Sequence, residues 1–203
     1  AVYPWMDDWL SRWPQLARLP WFWLISPAGQ STAQTSGGIP VGLPGGDAAY
    51  FGQALASQIA QRLLIPPAVA QLTDLAQWRQ VCLAYLVACP PALWSVWSPS
   101  IVLVLCDTLR DEAAEICALL DDWPYDFLPK PIIDHERRSA LPDLIAAGPQ
   151  YVWPDVVLAS CWTSASAERD ALLLQQRWPS LNIQGKGLLS TEGVVSIPLL
   201  DLH

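Results

Sequence analysis

Lysine and histidine are scarce in this 203-residue chain, with two of each, and charged side chains make up only 15% of it. So few cations exclude a surface that tracks phosphates. The net charge is −8, the whole excess falls in residues 101–203, and no basic stripe is present, so DNA or RNA binding is not expected. Two histidines cannot supply a zinc tetrad. No H-E-x-x-H, C-x-x-C or G-x-S-x-G occurs, so the signatures of zinc peptidases, dithiol redox sites and serine hydrolases are missing. His135 stands in Asp134-His135-Glu136-Arg137-Arg138, which reads as a solvated helix start rather than a catalytic base. The carboxylates Asp111, Glu112, Glu115, Asp121 and Asp122 read as the wet face of a helix and its end. The five cysteines, Cys82, Cys89, Cys106, Cys117 and Cys161, are odd in number, widely spaced and set in apolar runs; buried free thiols in a reducing cytoplasm are expected.

What is abundant is apolar side chain, 52% of the residues, with 12 Trp against 3 Phe. The chain must bury a core built on large rings whose N–H groups need partners. Gln80 to Cys106 carries no charge and is long enough to span a bilayer. Pro90, Pro91 and Pro99 cut it into pieces too short for that, so two buried elements and no membrane contact are expected. Residues 1–20 hold four charged side chains and no clean apolar stretch, unlike a signal peptide. The spacing of Trp5, Trp9 and Trp13 right at the first residues looks like the middle of an amphipathic helix, so the chain is expected to be a fragment.

Periodicity places helices at Trp5–Leu19 with a break near Pro14, at Asp47–Leu64 and at Asp74–Cys89. Ser98 as cap and Pro99 as first residue open a helix running to Leu120, followed by helices at His135–Ala147 and Ser164–Arg177. Strands are expected at Trp21–Ser26, Leu93–Trp97, Val156–Cys161, Leu181–Gln184 and Val194–Leu199. Strands separated by helices predict an α/β fold, a mixed and largely parallel sheet flanked by helices. No repeat and no linker composition divides it; residues 1–203 read as one incomplete α/β domain.

Two segments could carry chemistry. The loop Thr35 to Gly42 has glycines that could cradle an anion, but it lacks the lysine and spacing of a P-loop, and a structural turn suits it better taken alone. The run Gly185-Lys186-Gly187-Leu188-Leu189-Ser190-Thr191-Glu192-Gly193 sets hydroxyls and a carboxylate between two apolar strands. That is costly in a core unless the place is wet or binds something. Magnesium with nucleotide phosphates would satisfy it; a glycine-rich hairpin with Glu192 exposed explains it equally well.

Taken with its surroundings, Ile183 to Leu199 resembles the bacterial branch of the Gretchen Hagen, or auxin-responsive promoter, family of acyl acid amido synthetases in the adenylate-forming superfamily. Further stretches agree in the same order: Ile25-Ser26-Pro27 with Gly37 to Gly42 and Asp47 to Tyr50, Pro66 to Val69, Val96 to Ser100, Trp153-Pro154 and Ser160-Cys161-Trp162. The resemblance implies the central part of an adenylate-forming N-terminal domain, in an enzyme that activates a carboxylic acid with ATP and Mg²⁺ and passes the acyl group to an amine or amino acid. It implies that Ser190, Thr191 and Glu192 meet the nucleotide phosphates and metal, with Thr191 and Glu192 catalytic and Glu192 the metal ligand. It aligns Ala165 and Ser166 with a loop facing adenine, with alanine where the family has glycine. Gly187 and Leu188 fall beside the nucleotide, Leu188 replacing a tyrosine of the plant enzymes. Trp97, Ser98 and Gly38 fall near the acid. The family's phosphate loop would precede Ala1, and its Tyr-Arg-x-Gly-Asp motif and C-terminal domain would follow His203. The chain alone is therefore expected to be inactive and to self-associate through surfaces those parts would cover. A noncatalytic short homologue acting as a binding module is the alternative.

Overall fold

The computed structural model describes residues 2–24, 36–38, 57, 59–187, 189–190, 193–194 and 196. Helix α1 spans Val2–Arg12. It ends where Trp13 leaves helical geometry ahead of Pro14, whose ring disfavours a helical residue before it, and Pro14–Ala17 continues as a 3₁₀ turn. Trp5 and Trp9, four residues apart, lie on the buried face of α1 with ring centroids 4.4 Å apart.

Four short strands form one sheet in the order of the chain: β1 (Trp21–Trp23), β2 (Leu93–Ser95), β3 (Leu158–Cys161) and β4 (Asn182–Gly185). All three pairings are parallel. An α/β architecture with a parallel sheet flanked by helices is thus what the chain adopts. A separate antiparallel pair joins β5 (Leu189–Ser190) to β6 (Gly193–Val194).

The connections are helical. Helix α2 (Leu75–Ala88) is capped by Asp74, whose carboxylate accepts the Gln77 N–H, and is buried at every position from Val81 to Ala88. Helix α3 (Pro99–Asp111) starts as expected on Ser98 and Pro99. It does not continue to Leu120. Glu112 sits at φ −117°, ψ 29°, outside helical geometry, and a second helix, α4 (Ala113–Asp121), begins there. Glu112 accepts a 2.7 Å hydrogen bond from Gln80 Nε2 of α2. The redirection sends Ile116 and Leu120 into the same core as Leu105 and Leu109. Helix α5 (His135–Ala147), capped by Asp134, ends on Gly148 at φ +121°, and α6 (Pro149–Val152) follows. Arg137 of α5 crosses to the carbonyls of Val87 (2.7 Å) and Val152 (2.5 Å), tying the ends of α2 and α6 together. Burial lowers its pKa from the usual guanidinium value. Helix α7 (Glu168–Arg177) begins later than expected, because Ala165–Ala167 forms a 3₁₀ turn started by Ala165 at φ +53°.

Two other expectations change. The helix assigned to Asp47–Leu64 gives way to a turn at Gln61 and Arg62, and Leu63 bridges to Trp21. The Trp21 N–H donates to Arg62 O and the Leu64 N–H to Trp21 O, which covers the outer edge of β1. Residues 47–56 lie outside the described residues, as do 25–26 and most of 194–199. The cysteines are free, as expected, but only Cys82 and Cys161 are buried; Cys106 and Cys117 are half-buried, and Cys89 is exposed because it terminates α2 at the surface. Among the described residues no helix is long and apolar enough to cross a membrane.

Side chains alternate across the sheet. Phe22, Trp94, Val96, Ala159 and Cys161 join the larger core with helices α2 to α7. Trp21, Trp23, Leu93 and Leu158 pack with Trp5, Met6, Trp9 and Leu16 on the other face. Trp94 is the hub of the larger core, edge-on to Phe22 and Trp153 at 5.0 Å and to Trp178 at 6.3 Å. Replacing it by alanine is expected to cost roughly 3–5 kcal/mol, seen as a lower denaturant midpoint, since a ring this enclosed leaves a cavity.

Candidate functional site at the carboxyl end of the sheet

Every strand of the parallel sheet ends on the same side, so the segments after β2, β3 and β4 meet there; open α/β sheets bind ligands in this position. Pairing continues one residue past the strands. Val96 N–H donates to Ser160 O (3.0 Å), Trp162 N–H to Trp97 O (2.8 Å) and Lys186 N–H to Cys161 O (2.8 Å). The Trp97 and Trp162 rings face one another at 5.3 Å, Trp162 remaining 46% exposed.

One register row decides the character of this edge. Trp23, Ser95, Ser160 and Gln184 pair in sequence across the sheet. Ser95, Ser160 and Gln184 are also the buried polar side chains among the described residues. Apolar neighbours make each expensive unless it is hydrogen-bonded. Gln184 Oε1 accepts the indole N–H groups of Trp5, at 3.0 Å, and of Trp9. Ser95 Oγ accepts from Lys186 Nζ at 2.9 Å. Ser160 Oγ finds no hydrogen-bond partner among the described residues.

Lys186 is held at both ends. Its ammonium lies over three rings, Trp5 at 5.5 Å, Trp23 at 5.4 Å and Trp97 at 5.4 Å from the centroids. Its backbone N–H reaches β3 because residue 185 is glycine: a β-carbon there would come within 2.6 Å of Thr163 Oγ1. Burial raises the Cys161 thiol to about 11, against a smaller lowering effect of the Lys186 charge.

The chain brings several expected site residues to this edge. Trp97 and Ser98 follow β2, Ala165 and Ser166 follow β3, and Gly187 follows β4. Ser98 is engaged as the cap of α3, its hydroxyl accepting the Ser100 N–H at 3.3 Å and lying 2.6 Å from Ser100 Oγ. Ala165 and Ser166 are exposed, and Ala165 helps line a recess of about 520 Å³ on α7 with Glu168, Arg169 and Leu172. Gly38 occupies an exposed turn at φ +79°, where an added β-carbon would meet no described residue within 4 Å; the residues on either side of this turn, 25–35 and 39–56, lie outside the described residues. Ser190 pairs with Gly193 in the antiparallel pair. Leu188, Thr191 and Glu192 lie outside the described residues, and no group of three or more His, Cys, Asp or Glu converges among those described.

The polar row and the lysine cage were not singled out from the sequence. Their signal was a polar residue at an inward position near the end of each inner strand, in Leu93-Trp94-Ser95 and Leu158-Ala159-Ser160, followed two residues later by tryptophan.

No protein-family model and no curated protein sequence matches the chain. Solved structures do. One, described as "GH3.15 acyl acid amido synthetase", superposes with a TM-score of 0.70 at 13% identity and covers 98% of this chain. Another, "AtGH3.15 acyl acid amido synthetase in complex with 2,4-DB", gives a TM-score of 0.74 at 14% identity over 97% of the chain. The fold is shared with these synthetases. At such identity the likeness concerns the fold, and the chain spans about 37% of the length of the solved chains it matches.

Two outcomes are expected from this geometry. In the native protein, alkylation near neutral pH followed by mass spectrometry modifies Cys89 and spares Cys161, which becomes reactive on unfolding; equal labelling of both would contradict the burial described. Ala165→Gly relieves a left-handed alanine and raises stability by about 1 kcal/mol, read from the denaturant midpoint.

Proposed function

We propose that the chain is a segment of an ATP-dependent acyl acid amido synthetase, carrying the carboxyl edge of the sheet against which the acid is activated. The observation that supports this reading most is convergence. Matched stretches around Trp97, Cys161 and Gly185, nearly ninety residues apart at the extremes, end on one edge of one sheet, in a chain that superposes on such a synthetase over 97% of its length.

In this reading a carboxylate oxygen of the acid attacks the α-phosphorus of ATP, pyrophosphate leaves, and the acyl group then passes from AMP to the nitrogen of an amine or amino acid. The exposed turn at Ala165 and Ser166 borders the base, and the left-handed backbone of Ala165 is the conformation that a glycine at this place would adopt without strain. Trp97 and Trp162 offer ring surface to an apolar acid. Ser190, Thr191 and Glu192 would meet the phosphates, and Glu192 would hold Mg²⁺, which would supply neutralisation of charge on the phosphate oxygens. The segment lacks the phosphate loop and the Tyr-Arg-x-Gly-Asp motif, so it binds nucleotide weakly and does not turn over. A cytoplasmic location and self-association through uncovered apolar surface belong to the same reading.

Isothermal titration of the chain with Mg-ATP tests it. Weak binding that Glu192→Ala reduces several-fold is expected, with no pyrophosphate release above background from either protein. Equal heats for the two proteins would remove the assignment of Glu192, and turnover by the chain would overturn its inactivity.

A further inference from the structure

We infer that the cavity between α3, α7 and the junction of α5 with α6 is a second binding site, which takes a small apolar monocarboxylate with its tail inward and its carboxylate on Arg177. It stands apart from the synthetase reading, which concerns the other end of the sheet.

Cys106 to Arg110 belong to the second half of α3, which leaves the carboxyl end of the sheet at Ser98; Val152 and Trp153 precede β3, and Trp178 precedes β4. These segments meet toward the amino ends of the strands. There they enclose about 380 Å³, within the roughly 300–1,000 Å³ usual for small-molecule sites. The floor is apolar. Leu103, Val152, Trp153, Leu174 and Trp178 line it, none more than 7% exposed, and the two indoles stack with centroids 5.9 Å apart. The Trp153 N–H is spent on Leu86 O at 3.0 Å, so that ring offers the cavity carbon alone. Cys106 lines it too; burial, and next the Asp107 charge, raise its thiol to about 12, and a neutral thiol suits an alkyl chain.

The charged lining residues are Asp107, Arg110 and Arg177, two guanidiniums against one carboxylate, in the half of the chain that carries the whole negative excess. Both guanidiniums meet the same oxygen, Asp107 Oδ1, Arg177 Nη1 at 2.8 Å and Arg110 Nη1 at 3.2 Å. Arg110 is bonded in addition to Asp111 at 2.9 Å, outside the lining. Arg177 shares its carboxylate, so an anion brought by a ligand gains most there, while a cationic ligand would meet the surplus guanidinium. An apolar floor under a guanidinium at the rim matches a molecule with one carboxylate and one hydrocarbon tail.

Isothermal titration with octanoate, octanol and acetate tests the inference, using wild type, Arg177→Gln, Arg177→Lys, Ala146→Phe at an exposed lining position, and Trp162→Ala at the opposite end of the sheet. Wild type is expected to bind octanoate more tightly than octanol and acetate least. Arg177→Gln should weaken octanoate roughly tenfold, the size of a lost charge-assisted hydrogen bond, and leave octanol unchanged; Arg177→Lys should recover part of the loss. Ala146→Phe should weaken both long-chain ligands, and Trp162→Ala neither. The Ile145 methyl resonance should move with octanoate, that of the exposed Ile132 serving as control. No binding of octanoate, octanol binding as tightly as octanoate, an unchanged affinity in Arg177→Gln, or a loss in Trp162→Ala without one in Arg177→Gln overturns the inference. Should Arg177→Gln lose its fold by circular dichroism, the wild-type Ile145 methyl decides, and an unmoved resonance overturns it.

Discussion

Parallel pairing in a single register is the constraint on which the rest of this molecule depends. Because β1 to β4 align Trp23, Ser95, Ser160 and Gln184, a polar row is forced between an aromatic helix on one side and hydrophobic strands on the other. A slip of one residue in any pairing would turn that strand's polar side chain toward the larger core, away from the groups that now bond Ser95 and Gln184. Register and hydrogen bonding therefore enforce each other, and Trp5, Trp9 and Lys186 are the groups that make the row tolerable.

Tryptophan is suited to this task. Each ring buries a large apolar area and carries one N–H that can be directed at a carbonyl. Trp21 donates to Leu16 O, Trp123 to Leu128 O and Trp153 to Leu86 O, so the same residues that fill the core also fasten separate segments of backbone. The indole faces remain available, and at the sheet end three of them are spent on a cation. A core of phenylalanine would have offered no N–H to those carbonyls and a weaker face to the cation.

The alternation of strands and helices was legible in the sequence because its signals are local. Ser98 before Pro99 opened α3 as read, and Pro90, Pro91 and Pro99 bounded β2. What was not legible depends on partners distant in sequence. The break at Glu112 follows from a hydrogen bond to Gln80, and the extended geometry at Leu63 from pairing with Trp21. The site divides the same way. Trp97, Ser98, Ala165, Ser166 and Gly187 could be assigned from a resemblance, and the fold gathers them at one edge; Thr191 and Glu192 fall outside the described residues. Lys186, Ser95, Ser160 and Gln184 escaped, because a serine in a strand reads as solvent-facing until the strands on both sides of it are known.

The bonds from Trp5 and Trp9 to Gln184 span 179 and 175 residues. Helix α1 therefore has its anchor in the last strand of the parallel sheet. Closing so long a loop carries a large entropic cost before any contact repays it. Until β4 pairs, the indole N–H groups of Trp5 and Trp9 lack the acceptor that holds them, so the docking of α1 is completed only when the parallel sheet is in place.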